Sequence, residues 1–543
     1  MANGTAHNRD GSESMRRTLL ILGALAACAS PPAPDASPIG EPLDLLLTGG
    51  RVLDGAGNPW VIRDIGVAGD RIAFFGDAAA AGVHALDTLD VSGRLVTPGF
   101  WDVHSHAELE TPDGRKAEPW LYQGVTTVIV GLDGGGESNV SEIFAQYERD
   151  GIGVNALRFV GHGAARRHAM GDEDRAPTPA ELDTMKAYVR RAMEQGAMGL
   201  SSGLFYVPGS YATTGEVIEV NSVAAEYGGI YDTHDRDLGA NYKSIGYLAS
   251  TAEGIEIGEK AGTPVIFSHF NPQGAHNYGR AAEGAQLIEA ARARGVNIMA
   301  AQHPYTATQS SLYAYALPRW AVAGGGEEMK KRFADPAARA RLDIETMEML
   351  AIRGGAGKIM IVDPRPGLNG RTLAQVAEAW GLPVPETVRR ILSEGSAAVM
   401  NLDLYDIENT RYLAAKEWMM TCTDGRTPHP GQEITHPRVY GAFSRKLRQF
   451  VMEDSIISLP FAVRGMTSLA ATFFNIPDRG EIREGFLADI AVFDEAAIRD
   501  RATYQQPHQF AEGAVHVLVN GRFALLDGRP TGELHGRPIR RGG

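Results

Sequence analysis

Eight short apolar runs, most of them separated by stretches of helical character, constrain this 543-residue chain more than any other feature. They span residues 95–101, 126–131, 157–160, 197–200, 229–233, 264–268, 296–301 and 418–422. Residues 179–195, 214–227, 245–261 and 281–294 read as helices between them. Strands alternating with helices indicate a parallel sheet. Eight such units predict an α/β fold, a (β/α)8 barrel of TIM type, whose chemistry sits at the C-terminal strand ends.

The polar residues fall at those ends. Asp102-Val103-His104-Ser105-His106 closes the first run. Side chains at i and i+2 of a strand point the same way, so His104 and His106 project together. Asp133 follows the second run, His162 the third, His234 the fifth, His269 the sixth, His303 and Tyr305 the seventh, and Asp424 the eighth. Metal ligands cluster in this manner, which makes His104, His106, Asp133, His234, His269 and Asp424 the candidate ligand set.

The barrel would occupy residues 99–475, with an insertion at about 306–416 before the last strand. That insertion has helical candidates at 329–350, 373–380 and 384–393, and is either a lid over the site or structural decoration. Residues 43–98 and 476–540 share a texture of short strands and Gly/Asp turns, as in Asn520-Gly521. Together they predict one small β-sandwich built from both chain ends.

Arg16-Arg17 precedes an apolar run at residues 19–27 that is too short to span a membrane and matches a signal-peptide core. It ends in Leu25-Ala26-Ala27-Cys28, which resembles the bacterial lipoprotein box. The resemblance implies an export signal over residues 1–28, lipidation of Cys28, a Pro-rich tether over 29–42 and residence on the periplasmic side of the cell envelope, at the outer membrane. Membrane contact would run only through that anchor. Residues before Met15 read as an upstream start artefact, and plain secretion is the alternative. Cys422, the other cysteine, lies two residues before Asp424 and reads as a small core residue. The net charge of −14, with no basic stripe, argues against a nucleic-acid partner.

Longer motifs surround these residues. They include Pro98-Gly99-Phe100-Trp101-Asp102-Val103-His104-Ser105-His106, Gly124-Val125-Thr126-Thr127-Val128, and Gly161-His162-Gly163 with Arg166. Gly199-Leu200-Ser201-Ser202-Gly203-Leu204 with Tyr206-Val207-Pro208-Gly209 follows, then Thr233-His234-Asp235-Arg236 and Ser268-His269. Asp424-Gly425, His436-Pro437-Arg438-Val439-Tyr440-Gly441, and Arg479-Gly480 with Ala488-Asp489 complete the series. In these the chain resembles the metal-dependent amidohydrolases, and among them the N-acyl-D-amino-acid deacylases (D-aminoacylases), over residues 45–540.

The resemblance implies one or two zinc ions, the four histidines as ligands, Asp424 as ligand and catalytic base, and a small-molecule amide substrate. Three departures qualify it. Relatives usually carry Cys where this chain has Asp133, a harder ligand that can also hold or bridge zinc, with Glu137 as the fallback. Asn271 stands where a carboxylate-binding Lys is common, and it brings no charge. His303 is new in the segment that ends the seventh strand. Arg166, Asn271, His303, Tyr305 and Arg438 are the substrate-binding candidates, the arginines because a planar fork suits carboxylates. His162 is expected to support the site without binding metal. The expected reaction is hydrolysis of a linear amide in an N-acyl amino acid, of D type by resemblance, or in a dipeptide-like compound. The alternatives are hydrolysis of a cyclic amide, carbamate or ester, or ligand binding without catalysis in the envelope. The oligomeric state is not legible.

Overall fold

The computed structural model describes residues 42–429, 431 and 433–542. The export segment, Cys28 and nearly all of the tether lie outside the described residues.

Each of the eight apolar runs supplies a barrel strand, the first only through its end, its start Leu95–Pro98 joining the terminal β unit: β1 Phe100–Asp102, β2 Val125–Val130, β3 Asn155–Arg158 continued by Val160–Gly161, β4 Gly199–Gly203, β5 Ile230–His234, β6 Val265–Phe267, β7 Ile298–Gln302 and β8 Met419–Thr421. They pair in parallel from β1 to β3 and from the end of β3 to β8. The ring closes beyond the strand ends, where His106 pairs with Arg426. There the Asp424 amide donates to the His104 carbonyl at 2.9 Å and the His106 amide to the Gly425 carbonyl at 2.8 Å. Closure and candidate ligands therefore share the same backbone.

The strands read largely as apolar runs because both of their faces are buried, and the polar residues within them, Thr127, Ser201 and Asp232 among them, are buried as well. Trp101, Ile129, Leu157, Ile266, Met420 and Cys422 fill the interior with Phe474, whereas Val265 and Phe267, the neighbours of Ile266, pack outward. Cys422 is a fully buried free thiol, and burial pushes its pKa well above the ordinary value, as befits a core residue.

Both chain ends build one β unit on the barrel. Strand Leu43–Val52 pairs three neighbours, Val61–Ala68, Ala85–Asp90 and Leu95–Pro98, so the strands form one branched nine-stranded network rather than two separate sheets. The N- and C-terminal parts meet where Leu95–Pro98 runs antiparallel to Ile490–Phe493. Alternation serves two cores there: Ile490 and Val492 face the β unit, while Ala491 and Phe493 face the barrel. Phe493 stacks on Phe100 at 5.4 Å between ring centroids. Gly124 permits this approach, since a Cβ there would lie 2.4 Å from the Phe493 ring.

Residues 306–416 carry a three-stranded antiparallel sheet, Thr308–Ser311, Ala398–Asn401 and Ile359–Val362, with its own apolar core and helices. The helix expected over 329–350 is two helices, Gly326–Ala334 and Pro336–Ile352. Pro336 lacks the N–H needed to continue the first, and Asp335 caps the second by accepting from the Ala337 amide at 3.1 Å. No helix among the described residues is long and apolar enough to cross a membrane.

Candidate metal centre

The structure brings all six sequence candidates together in three overlapping groups: His104, His269 and Asp424; His104, His106 and Asp133; and Asp133, His234 and His269. Asp133 Oδ1 lies 3.4 Å from His104 Nε2 and 3.4 Å from His234 Nδ1, while its Oδ2 lies 3.4 Å from His106 Nε2. Asp424 Oδ1 lies 3.3 Å from His106 Nε2 and 3.8 Å from His104 Nε2. Atoms bound at about 2.1 Å around one tetrahedral zinc are about 3.4 Å apart, so the spacing suits shared coordination. Asp133 belongs to two of the groups, the placement a bridging ligand needs. Glu137 is exposed and in none of them.

Orphaned atoms make the same point. Both ring nitrogens of His104, Nδ1 of His234, Nδ1 of His269 and Oδ1 of Asp133 are buried without a hydrogen-bond partner among the described residues. Buried polar atoms are almost always satisfied, and a cation would satisfy several of these at once. The donor set, four imidazoles and two carboxylates, fits zinc. Asp133, His269 and Asp424 have φ of 53°, 33° and 48°, a left-handed backbone that non-glycine residues rarely adopt. Strain of this kind collects at functional sites.

Supporting groups hold the candidate ligands. Asp232 lies 3.9 Å behind His104 Nδ1 and accepts from Ser201 at 2.9 Å and Ser268 at 3.0 Å. Burial would raise the pKa of Asp424, but Arg438 and the histidines hold the carboxyl well below the usual range. Arg438 Nη1 donates to Asp424 Oδ2 and, at 3.2 Å, to His303 Nε2. Burial, helped by Arg438, pushes His303 down to about 3, so it is a neutral acceptor. His162 is bonded to Glu216 at 3.1 Å and belongs to none of the candidate ligand groups.

Three substrate-binding candidates are engaged elsewhere. Arg166 is fully buried in an ion pair with Glu216 at 2.6 Å and also donates to the Arg175 carbonyl. The Asn271 amide donates to Thr410 at 2.8 Å. The Tyr305 hydroxyl donates to Asp500 at 3.1 Å. None of the three lines a cavity at the metal centre. His303 and Arg438 do stand beside Asp424.

Two cavities meet at the centre. A small recess, with room for about one water, is walled by Phe205, Tyr206, His234, His269, Gln273 and Tyr405. An open cleft of about 640 Å³ runs past His106, Asp133, Arg158 and Arg438. Tyr206, Gln309 and Asp424 line both. The insertion supplies Gln309, Tyr315 and Tyr405 to these walls. Tyr206 lay in a recognised motif but drew no role, because nothing in its spacing reveals that its ring packs 4.6 Å from that of His234. Tyr405 and Gln273 carried no signal in the sequence.

A (β/α)8 barrel with convergent imidazoles and carboxylates at its C-terminal face defines a metal-dependent hydrolase. Residues 87–524 match the model of the amidohydrolase family. D-aminoacylase of Alcaligenes xylosoxydans xylosoxydans is 34% identical over 92% of this chain and 98% of its own length. N-acyl-D-glutamate deacylase of the same organism is 31% identical over 92% and 97%. The crystal structure of N-acyl-D-glutamate deacylase from Bordetella bronchiseptica, complexed with zinc and a phosphonate inhibitor, superposes with a TM-score of 0.77 at 30% identity, covering 92% of this chain and all of that one. The chain belongs to the amidohydrolase family and groups there with the D-aminoacylases.

Proposed function

We propose that this protein is a zinc-dependent hydrolase of the linear amide bond in N-acyl amino acids of the D series. The carrying observation is the shared carboxylate: Asp133 touches histidines of two ligand groups while Asp424, ionised beside Arg438, faces both cavities. His104, His106, His234, His269 and Asp133 would hold the metal, with Asp424 at its edge. Bound zinc supplies Lewis acidity, which activates water and polarises the scissile carbonyl.

The chain's own groups do the rest. Asp424 accepts the proton of the attacking water and returns it to the leaving amine, acting as general base and then general acid. Arg438 orients that carboxylate and keeps it ionised, and His303 holds Arg438 in place. The scissile bond would lie at Asp424, on the wall of the open cleft that also carries His106, Asp133 and Arg438. The further reading, anchorage of the enzyme to the envelope through Cys28, rests on the lipoprotein-box resemblance.

The test is amine release from paired D and L N-acyl amino acids by zinc-loaded protein, with a chelated control. Chelator-sensitive release confined to D substrates is expected. Release from L forms alone would overturn the stereochemical assignment, and no release from protein shown to hold zinc would overturn the reaction.

A further inference from the structure

Asp102 ends β1 just before the candidate ligand His104, and it belongs to none of the candidate ligand groups itself. It is fully buried, and the side-chain and backbone groups bonded to its carboxylate are all donors. Oδ1 accepts from the Thr423 amide at 2.8 Å. Oδ2 accepts from the Trp120 indole N–H at 2.8 Å and from the Thr423 hydroxyl. An ionised carboxylate suits this set because both of its oxygens only accept. Trp120 belongs to helix Glu118–Leu121 and is fully buried too, so Asp102 is held on one side and holds Thr423 on the other.

Thr423 directly precedes Asp424. Its hydroxyl donates to Asp102 and accepts from the Gly425 amide at 3.0 Å, so one oxygen clamps the chain on both sides of Asp424. The neighbouring backbone is tied as well. The Cys422 amide donates to the Gln302 carbonyl at 3.1 Å, the Asp424 amide to the His104 carbonyl at 2.9 Å, and the Gly425 carbonyl accepts from the His106 amide at 2.8 Å. Within this stretch Asp424 has a φ of 48°, a conformation that an aspartate keeps only where its surroundings over-determine it. Arg438 grips the Asp424 side chain through Oδ2, but that ion pair does not set the backbone. The Thr423 clamp does, and Asp102 is the group to which the clamp is fixed.

We infer that Asp102 is a positioning residue for the reaction: through Thr423 it fixes the backbone at Asp424 and so sets where the general base stands at the metal centre. This rests on the amidohydrolase reading above, in which Asp424 is that base. It divides the work between two groups, with Asp102 placing the main chain of Asp424 and Arg438 orienting its carboxylate.

The test measures kcat, KM and zinc content for zinc-loaded wild type, D102N, T423V and T423S on N-acetyl-D-methionine. Asparagine keeps the shape of Asp102 but turns one acceptor into a donor that faces another donor. A misplacement of about 1 Å at a reacting group costs on the order of 100-fold, so D102N should lose on the order of 10- to 100-fold in kcat. KM and zinc content should stay close to wild type. T423V, which keeps the shape without the hydroxyl, should lose kcat in the same way, and T423S should retain it. In a D424N background neither D102N nor T423V should cost much more, because a positioning residue acts through the group it positions. Unchanged kcat in D102N overturns the inference while leaving the amidohydrolase reading intact. So does a D102N loss that multiplies in full with that of D424N, or one that tracks zinc content. Should D102N not fold, T423V against T423S, with and without D424N, decides in the same way. Crystal structures of the variants give a readout independent of turnover. Asp424 displaced from its left-handed backbone or from Arg438 supports Asp102 as the group that places it, even in a protein that does not cleave this amide. Asp424 unmoved overturns the inference.

Discussion

In the proposed reaction Asp424 is central because its two oxygens face different ways. Oδ1 looks toward His106 and His104, and Oδ2 toward Arg438. Asn in its place keeps one oxygen but cannot take up a proton. D424N should therefore lose roughly 10²- to 10⁴-fold in kcat, the range of general acid–base catalysis, with zinc content by atomic absorption little changed. Near-normal turnover would remove Asp424 from the mechanism. D133A acts on the other side of the problem, removing the carboxylate that two ligand groups share. It should retain less zinc after dialysis than wild type, and full retention would place the bridge elsewhere. That these six candidates come together was legible in the sequence, because strand-end position and residue type bring them to one face of the barrel. The substrate contacts were not. Whether Arg166 is free depends on Glu216, 50 residues away, and whether Tyr305 points into the site depends on Asp500, 195 residues away. Neither separation leaves a local trace.

Element by element, alternation of apolar and helical stretches exposed the eight barrel strands, since both faces of each strand are buried. It could not show how the insertion folds, because short buried strands and helices look alike in periodicity. Nor did it mark Lys446, which opens the π-helical segment Lys446–Glu453. This lysine is 3% exposed, donates to Thr421 at 2.8 Å on β8 and pairs with no carboxylate among the described residues. Burial lowers its pKa from 10.5 to about 8. A lysine whose folded pKa is depressed destabilises the fold while it must carry charge. The cost is full below about pH 8 and disappears as pH rises to the unfolded value of 10.5. The shift corresponds to about 3 kcal/mol. K446M, which keeps the apolar stem and removes the charge, should melt higher than wild type at pH 7, with the gap closing between pH 8 and 10.5. A gap independent of pH would mean that packing, not charge, separates the two.

At the scale of the whole molecule, the β unit is fastened to the barrel by a buried polar cluster. Asp489, just before Ile490–Phe493, pairs with Arg479, and its Oδ2 also accepts from Asn155 on β3 at 3.1 Å. Asn520 joins the cluster three ways: its amide donates to Asp489 at 2.8 Å, its side chain to Asn155 at 2.8 Å, and it accepts from Arg479 at 2.8 Å. The four residues come from a barrel strand and three separate C-terminal positions, and each is at most 5% exposed. Such a network is worth little against an apolar core of the same shape, yet removing one partner strands a buried charge. R479L should thus cost about 3–5 kcal/mol in urea unfolding, because Asp489 is left without its cation. R479L/D489L removes both charges and should recover part of that loss. Since Asn155 sits at the foot of β3, whose other end carries His162, the damage should also reach the barrel and not the β unit alone. Circular dichroism and the intrinsic fluorescence, to which Trp101 and Trp120 of the barrel contribute, should therefore lose structure in one coincident transition. Separate transitions in R479L would show that the β unit unfolds by itself and that the barrel stands without it. A single transition at lower urea would mean that the two flanking segments, met across Leu95–Pro98 and Ile490–Phe493, are part of what keeps the candidate metal ligands in register.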